Sequence, residues 1–169
     1  LKIPIQIKKT KKYDLINIKQ PKKIKAFNYQ IPGDISSSAF FIVLATLSNN
    51  SKLLIKNVNI NDSRIGVIII LKKMGAKITL KNKRYYKGEK ISDILVKSTN
   101  KLKAINCNPE LNGSAIDEFL VIFLAAARAK GISYFKDIAE LNQKESPRLN
   151  WGSKILNMMG VKTKLTKDS

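Results

Sequence analysis

The 169-residue sequence contains no histidine and a single cysteine, Cys107. The first absence removes imidazole general-base chemistry from this chain. The two together exclude a disulfide framework and an ordinary zinc site, which needs three or four N or S ligands. Any catalysis within the chain must therefore rest on carboxylates, lysines and arginines. Long apolar runs are also missing. No stretch reaches the roughly 18 apolar residues of a membrane-spanning helix, so no membrane partner is expected. Acidic residues are scarce, 12 against 32 basic ones, for a net charge of +20. Only four of the basic residues are arginine: Arg64, Arg84, Arg128 and Arg148. The lysines are spread along the chain, and the abundance of Lys, Ile and Asn together matches A/T-rich codon drift. A polyanion-binding surface remains a second explanation of the charge, and a site for small anionic substrates a third. With 44% apolar residues the chain can build a core, and its length suits one domain or a piece of a larger one.

What is present is a repeat. Ala39–Leu47 (AFFIVLATL) and Phe119–Ala127 (FLVIFLAAA) are compact apolar runs 80 residues apart, and both predict buried helices. A turn and a short strand follow each: Leu53–Val58 in the first copy, Ser133–Ile138 in the second. A second helix follows, Ile65–Met74 and then Leu149–Met159. Gly75 and Gly160 close these helices as left-handed caps, and strands are expected at Ala76–Leu80 and Val161–Leu165. A further strand is expected at Ile91–Ser98, and one from a preceding element at Tyr13–Lys19. The capping glycines are 85 residues apart, so the second copy carries five extra residues, across Glu140–Arg148. Alternating strands and helices predict an α/β fold of repeated β-α-β-α-β-β units. The expected division is residues 1–25 as the tail of a preceding domain and a linker, 26–100 as the first unit, and 101–169 as the second. The start at Leu1 and the close at Lys167-Asp168-Ser169 predict an internal piece of a longer protein.

The inserted loop holds Lys144-Glu145-Ser146-Pro147-Arg148. A helix starting near Ser146-Pro147 puts Lys144 and Glu145 before it and Arg148 in its first turn, with proline at an accepted position. A lysine, an arginine and free backbone N–H groups can grip phosphate or carboxylate. The alternative is a solvated helix start with weak surface ion pairs. Asp117-Glu118 opens the second apolar helix, where it could serve chemistry or simply complement the helix dipole. Asp34 occupies the matching place in the first copy and suits an N-cap. Trp151 and Cys107 fit packing roles.

The motifs IPGDISSSAFF (Ile31–Phe41), AIDEF (Ala115–Phe119), AAARAKG (Ala125–Gly131) and ELNQKESPR (Glu140–Arg148), in that order, resemble the 3-phosphoshikimate 1-carboxyvinyltransferase (EPSP synthase) family from about Tyr29 onward. The family pattern is similar to E-L-R-x-K-E-S-D-R at the charged loop. Here Asn142 and Pro147 replace its Arg and Asp, and Leu120 stands where a proline often follows D-E-x. The resemblance implies two domains, each of three such units, with substrates bound between them. This chain then supplies two units of one domain, the third being absent, and only part of an active site, so activity in isolation is not expected. It further implies transfer of the enolpyruvyl group of phosphoenolpyruvate to the 5-hydroxyl of shikimate 3-phosphate. Glu145 would be the proton donor, Asp117 the base, Lys144 a ligand of shikimate 3-phosphate, and Arg148 a clamp on phosphoenolpyruvate. No metal or organic cofactor and no nucleic acid is implied; a monomeric, cytoplasmic full-length enzyme is. Two alternatives stay open. One is the related transferase acting on UDP-N-acetylglucosamine, which is similar to E-N-R-F where this chain has Lys144-Glu145. The other is a basic RNA-binding α/β module, for which Tyr85-Tyr86 between Arg84 and Lys87 is the local candidate.

Overall fold

A computed structural model describes residues 3–21, 23, 24 and 26–166. It divides into two compact units, one running up to Ile31 and the other from Pro32 onward. The first unit is an antiparallel hairpin of β1 (Ile5–Lys9) and β2 (Asp14–Ile18), in register Ile5↔Ile18 to Lys9↔Asp14. The expected strand at Tyr13–Lys19 is β2; its partner β1 was not anticipated. The chain's closing Lys167-Asp168-Ser169 lies outside the described residues.

The second unit runs α1 (Ile35–Leu47), β3 (Lys52–Asn59), α2 (Gly66–Lys73), β4 (Lys77–Tyr86), β5 (Glu89–Lys97), α3 (Asn112–Ala115), α4 (Phe119–Ala127) and α5 (Arg148–Met158). Helix α1 starts at Asp34, whose carboxylate accepts the Ser37 N–H at 2.7 Å. That is the capping role the sequence allowed. Burial pushes the Asp34 carboxyl up, but bonds from Ser37 and Ser36 outweigh it, and the net shift is downward. Helix α2 closes at Gly75 and α5 is followed by Gly160, at φ +96° and +80°; both glycines adopt the left-handed conformation that ends a helix.

Strands β3, β5 and β4 form an antiparallel sheet with β5 in the middle. Asp93, buried on β5, fixes two irregularities at once. Its carboxylate accepts the Asn57 N–H at 2.9 Å and the Asn82 side-chain amide at 2.8 Å. Both asparagines sit at positive φ, where the register of β3 and β4 shifts, as in a β-bulge. The Asn57 bond first, then the Asn82 bond, hold the Asp93 carboxyl below its usual range.

The repeat is visible in the hydrogen bonding. Gly33 lies parallel to β3, donating to the Asn57 carbonyl and accepting from Asn59 N–H. In the second copy the segment before the helix pairs likewise with the one after it: Tyr134, in the place of β3, donates to Ile105 and accepts from Cys107. The strands expected at Ser133–Ile138 and Val161–Leu165 do not form, however; the first contributes only that bridge. The physical reason is the missing middle strand. In the first copy β5 supplies the ladders of both β3 and β4. In the second, no described segment lies between residues 132–138 and 161–165, which instead line an apolar groove of about 340 Å³.

The core lies between the helices of the two copies and the sheet. Ile42, Ile70, Leu71, Met74, Ile94, Phe119 and Ile122 are fully buried, each worth roughly 1.5–3 kcal/mol of transfer free energy. Phe119, Phe123 and Phe135 meet edge-on or tilted at centroid distances of 5.1–5.9 Å. The apolar run of α1 is not buried all round: Phe40, Phe41 and Leu44 are exposed on one stripe. Trp151 is also exposed, beneath Lys154 Nζ at 5.0 Å, which corrects its packing assignment. Cys107 is buried as expected, and burial pushes its thiol up, away from reactivity.

Two glycines let the helices approach. A Cβ on Gly66 would lie 2.8 Å from the Ser114 backbone, so α2 meets α3 where only glycine fits. A Cβ on Gly152 would lie 2.7 Å from the Leu120 side chain. Leu120, the residue standing in the proline's place, thus packs α4 on α5.

Candidate active site

The charged residues of the two helix starts converge. The turn before α4 carries Asp117 and Glu118. The inserted segment forms a short 3-10 helix, Ala139–Gln143, and delivers Lys144 and Glu145 ahead of α5, whose first residue is Arg148. Asn142, in the place of the family's arginine, accepts the Asn150 N–H at 3.1 Å and so caps α5. Pro147 occupies the N-cap position with no side-chain cap bond, not the first turn that the sequence suggested.

Asp117 is the centre of the cluster. Its Oδ1 lies 3.3 Å from Arg148 Nη1 and 3.7 Å from Lys144 Nζ. Its Oδ2 lies 3.8 Å from Arg64 Nη2. Lys144 also stands 3.7 Å from Glu140. Glu145 is largely exposed, at 81% of its side chain, and accepts from Arg148 Nη2 at 2.7 Å. A hydrogen bond from its own backbone N–H, and then Arg148, hold its carboxyl below the usual range. All four residues singled out in the sequence are therefore within one contact of another. Partly exposed ion pairs of this kind stabilise a fold by only about 0–1 kcal/mol each. Converging cations around one carboxylate suit anion binding better than they suit stability.

Two residues belong to the cluster that the sequence reading did not place there. Arg64, just before α2, donates to Ser36 Oγ at 2.6 Å, and Ser36 in turn donates to Glu118 Oε1. Arg64 Nη2 is also 4.0 Å from Glu118. Glu118 is only 2% exposed in its side chain. Burial pushes its carboxyl above the usual range; Ser36 and Arg64 pull it back, and Asp117 and Asp34 push it up further. Glu118 occupies the N-cap position of α4 but makes no side-chain cap bond there. The signal for Arg64 was its identity, an arginine in a chain that otherwise uses lysine.

Residues 1–169 match the sequence profile of EPSP synthase, 3-phosphoshikimate 1-carboxyvinyltransferase. The chain belongs to the EPSP synthase family. The 3-phosphoshikimate 1-carboxyvinyltransferase of Thermoanaerobacter sp. (strain X514) is 46% identical over 146 residues, which cover 86% of this chain and 34% of that protein. The Ruthia magnifica enzyme of the same name is 44% identical, with 86% of this chain and 33% of that protein covered. Among solved structures, EPSP synthase from Acinetobacter baumannii superposes with a TM-score of 0.88 at 38% identity, covering 97% of this chain and 36% of that one. The chain thus spans about a third of the length of these relatives. Its α/β architecture is that of the family. Neither the sugar-nucleotide transferase nor the RNA-binding module is favoured by these similarities. Arg84, beside the exposed Tyr85, is engaged in bracing the β3–β4 irregularities through Asn57 and Asn82.

Proposed function

We propose that this chain supplies part of the active site of an enzyme that transfers the enolpyruvyl group of phosphoenolpyruvate to the 5-hydroxyl of shikimate 3-phosphate, releasing phosphate. The observation that carries this reading is Asp117 Oδ1 set between Arg148 and Lys144, with Glu145 on the other edge of Arg148. A base, two anion-binding cations and an acid form one run of contacts, Lys144–Asp117–Arg148–Glu145. The fitted roles are Arg148 on the phosphoenolpyruvate anion, where a planar guanidinium binds in two places, and Lys144 on shikimate 3-phosphate. Asp117 accepts the proton of the attacking hydroxyl. Glu145 protonates the methylene carbon and the hydroxyl adds to the resulting cation; the tetrahedral adduct then expels phosphate as its methyl group returns a proton to the Glu145 carboxylate, which restores the double bond.

Glu145 has to carry a proton to give one, and Arg148 works against that in the unliganded arrangement. An anion arriving on Arg148 competes for the guanidinium and adds negative charge beside Glu145. Both effects raise its proton affinity. The acid is thereby loaded when the substrate it must protonate is in place. Residues 26–100 and 101–169 act, in this reading, as two copies of the unit on which the site is built, within a soluble, monomeric full-length protein. The test is phosphate release by the full-length protein. Release from phosphoenolpyruvate that requires shikimate 3-phosphate is expected. Release with UDP-N-acetylglucosamine in its place transfers the assignment to the other enolpyruvyl transferase.

A further inference from the structure

Arg64 is contributed by the first copy, while the proposed base and its cations come from the second. Its guanidinium faces three carboxylates, those of Asp34, Asp117 and Glu118. Glu118 is the buried member, and its carboxylate is anchored by Ser36 from the start of α1. The same Ser36 hydroxyl accepts from Arg64. The chain of contacts Glu118–Ser36–Arg64 therefore sets where the guanidinium stands, and it stands 3.8 Å from Asp117 Oδ2. The opposite oxygen, Oδ1, is the one turned to Lys144 and Arg148. A carboxylate held from both sides cannot rotate freely, and a base must lie close to the proton it removes.

Burial makes Glu118 a costly residue for this purpose. A buried carboxylate needs charged or hydrogen-bonding partners, and an apolar residue or a glutamine could fill the space. Close packing of α2 on α3 at Gly66 brings Arg64, two residues before it, within reach of Asp117, three residues beyond Ser114.

We infer that Arg64 and Glu118 form a positioning pair, in which buried Glu118, through Ser36, holds Arg64 against Asp117 Oδ2 and so directs Oδ1 toward the bound substrate. This rests on the reading of Asp117 as the base. Neither residue touches the reacting atoms; both act through Asp117.

The test is steady-state kinetics on the full-length enzyme, with Arg64→Gln made in the native background and again beside Asp117→Asn. In the native background kcat is expected to fall about 10-fold, with KM for both substrates changed less than about twofold. Beside Asp117→Asn the same substitution is expected to cost less than about twofold, because the group it positions is already gone. Arg64→Lys restores part of the loss. Glu118→Gln keeps the shape and an acceptor for Ser36 but removes the charge 4.0 Å from Arg64 Nη2; it is expected to give part of the Arg64→Gln loss, and the double variant is no worse than Arg64→Gln alone. An equal loss in both backgrounds identifies a merely structural role and overturns the pair, as does no loss in either. Native-like turnover in Asp117→Asn alone instead overturns the base assignment, and the pair with it. The two failures are thus told apart by which variant retains activity.

Discussion

At the residue scale, the informative side chains are those whose environment conflicts with their ordinary chemistry. Glu118 is a carboxylate with almost no water, and its folded-state affinity for protons is raised. A group with a raised folded pKa favours the fold in its protonated form. Its contribution is fully present below the ordinary carboxyl range and is lost as pH rises through the raised value. Glu118→Gln should therefore raise Tm at neutral pH, and the gain should shrink as pH falls toward the ordinary range. Thermal melts across pH 4–8, on the order of that carboxyl range and above, check this; a gain that grows toward acid would contradict it. With lost turnover in the same variant, the residue would show function maintained at the expense of stability. The sequence drew attention to Asp117, Lys144, Glu145 and Arg148 as polar groups at helix starts and in an insertion, but their proposed roles came only from the family resemblance. It hid Arg64 and Ser36 because their partners lie 28 to 82 residues away in the chain.

At the scale of elements, helices were readable in place and kind: Phe119–Ala127 is α4 as expected, α1 begins at Ile35 ahead of the expected Ala39, and both capping glycines fall where the pattern put them. A helix satisfies its own backbone, so local sequence suffices to define it. A strand does not. Residues 133–138 carry a strand-like pattern equivalent to β3, yet the ladder requires a middle strand that, among the described residues, only the first copy has. The contact that matters most for the site is the one between α2 and α3. Gly66→Ala forces a Cβ into the Ser114 backbone, so helices rather than a flexible side chain must move. A loss of about 1–3 kcal/mol of stability is expected, together with reduced turnover as Arg64 withdraws from Asp117. Unchanged denaturation midpoint and unchanged kcat would show that the approach is not tight.

At the scale of the whole molecule, the candidate site draws its side chains from both halves of the repeat. Two copies of one α/β unit pack helix against helix, and the second bears the inserted loop. The first presents Arg64 and Ser36; the second presents Asp117, Glu118, Lys144, Glu145 and Arg148. The net charge of +20 is distributed, but Lys144, Arg148 and Arg64 gather around Asp117, an arrangement that the proposed function would use to bind anions. The remaining two thirds of the relatives' length lies outside this chain, so its chemistry has to be measured in the full-length protein. The most direct measurement is single-turnover phosphate release from phosphoenolpyruvate and shikimate 3-phosphate, comparing that protein with its Glu145→Gln form. Loss of an acid acting in the rate-limiting step lowers the rate about 10²–10⁴-fold while both substrates still bind. Near-normal release by Glu145→Gln would contradict the account and remove the proton donor from this loop.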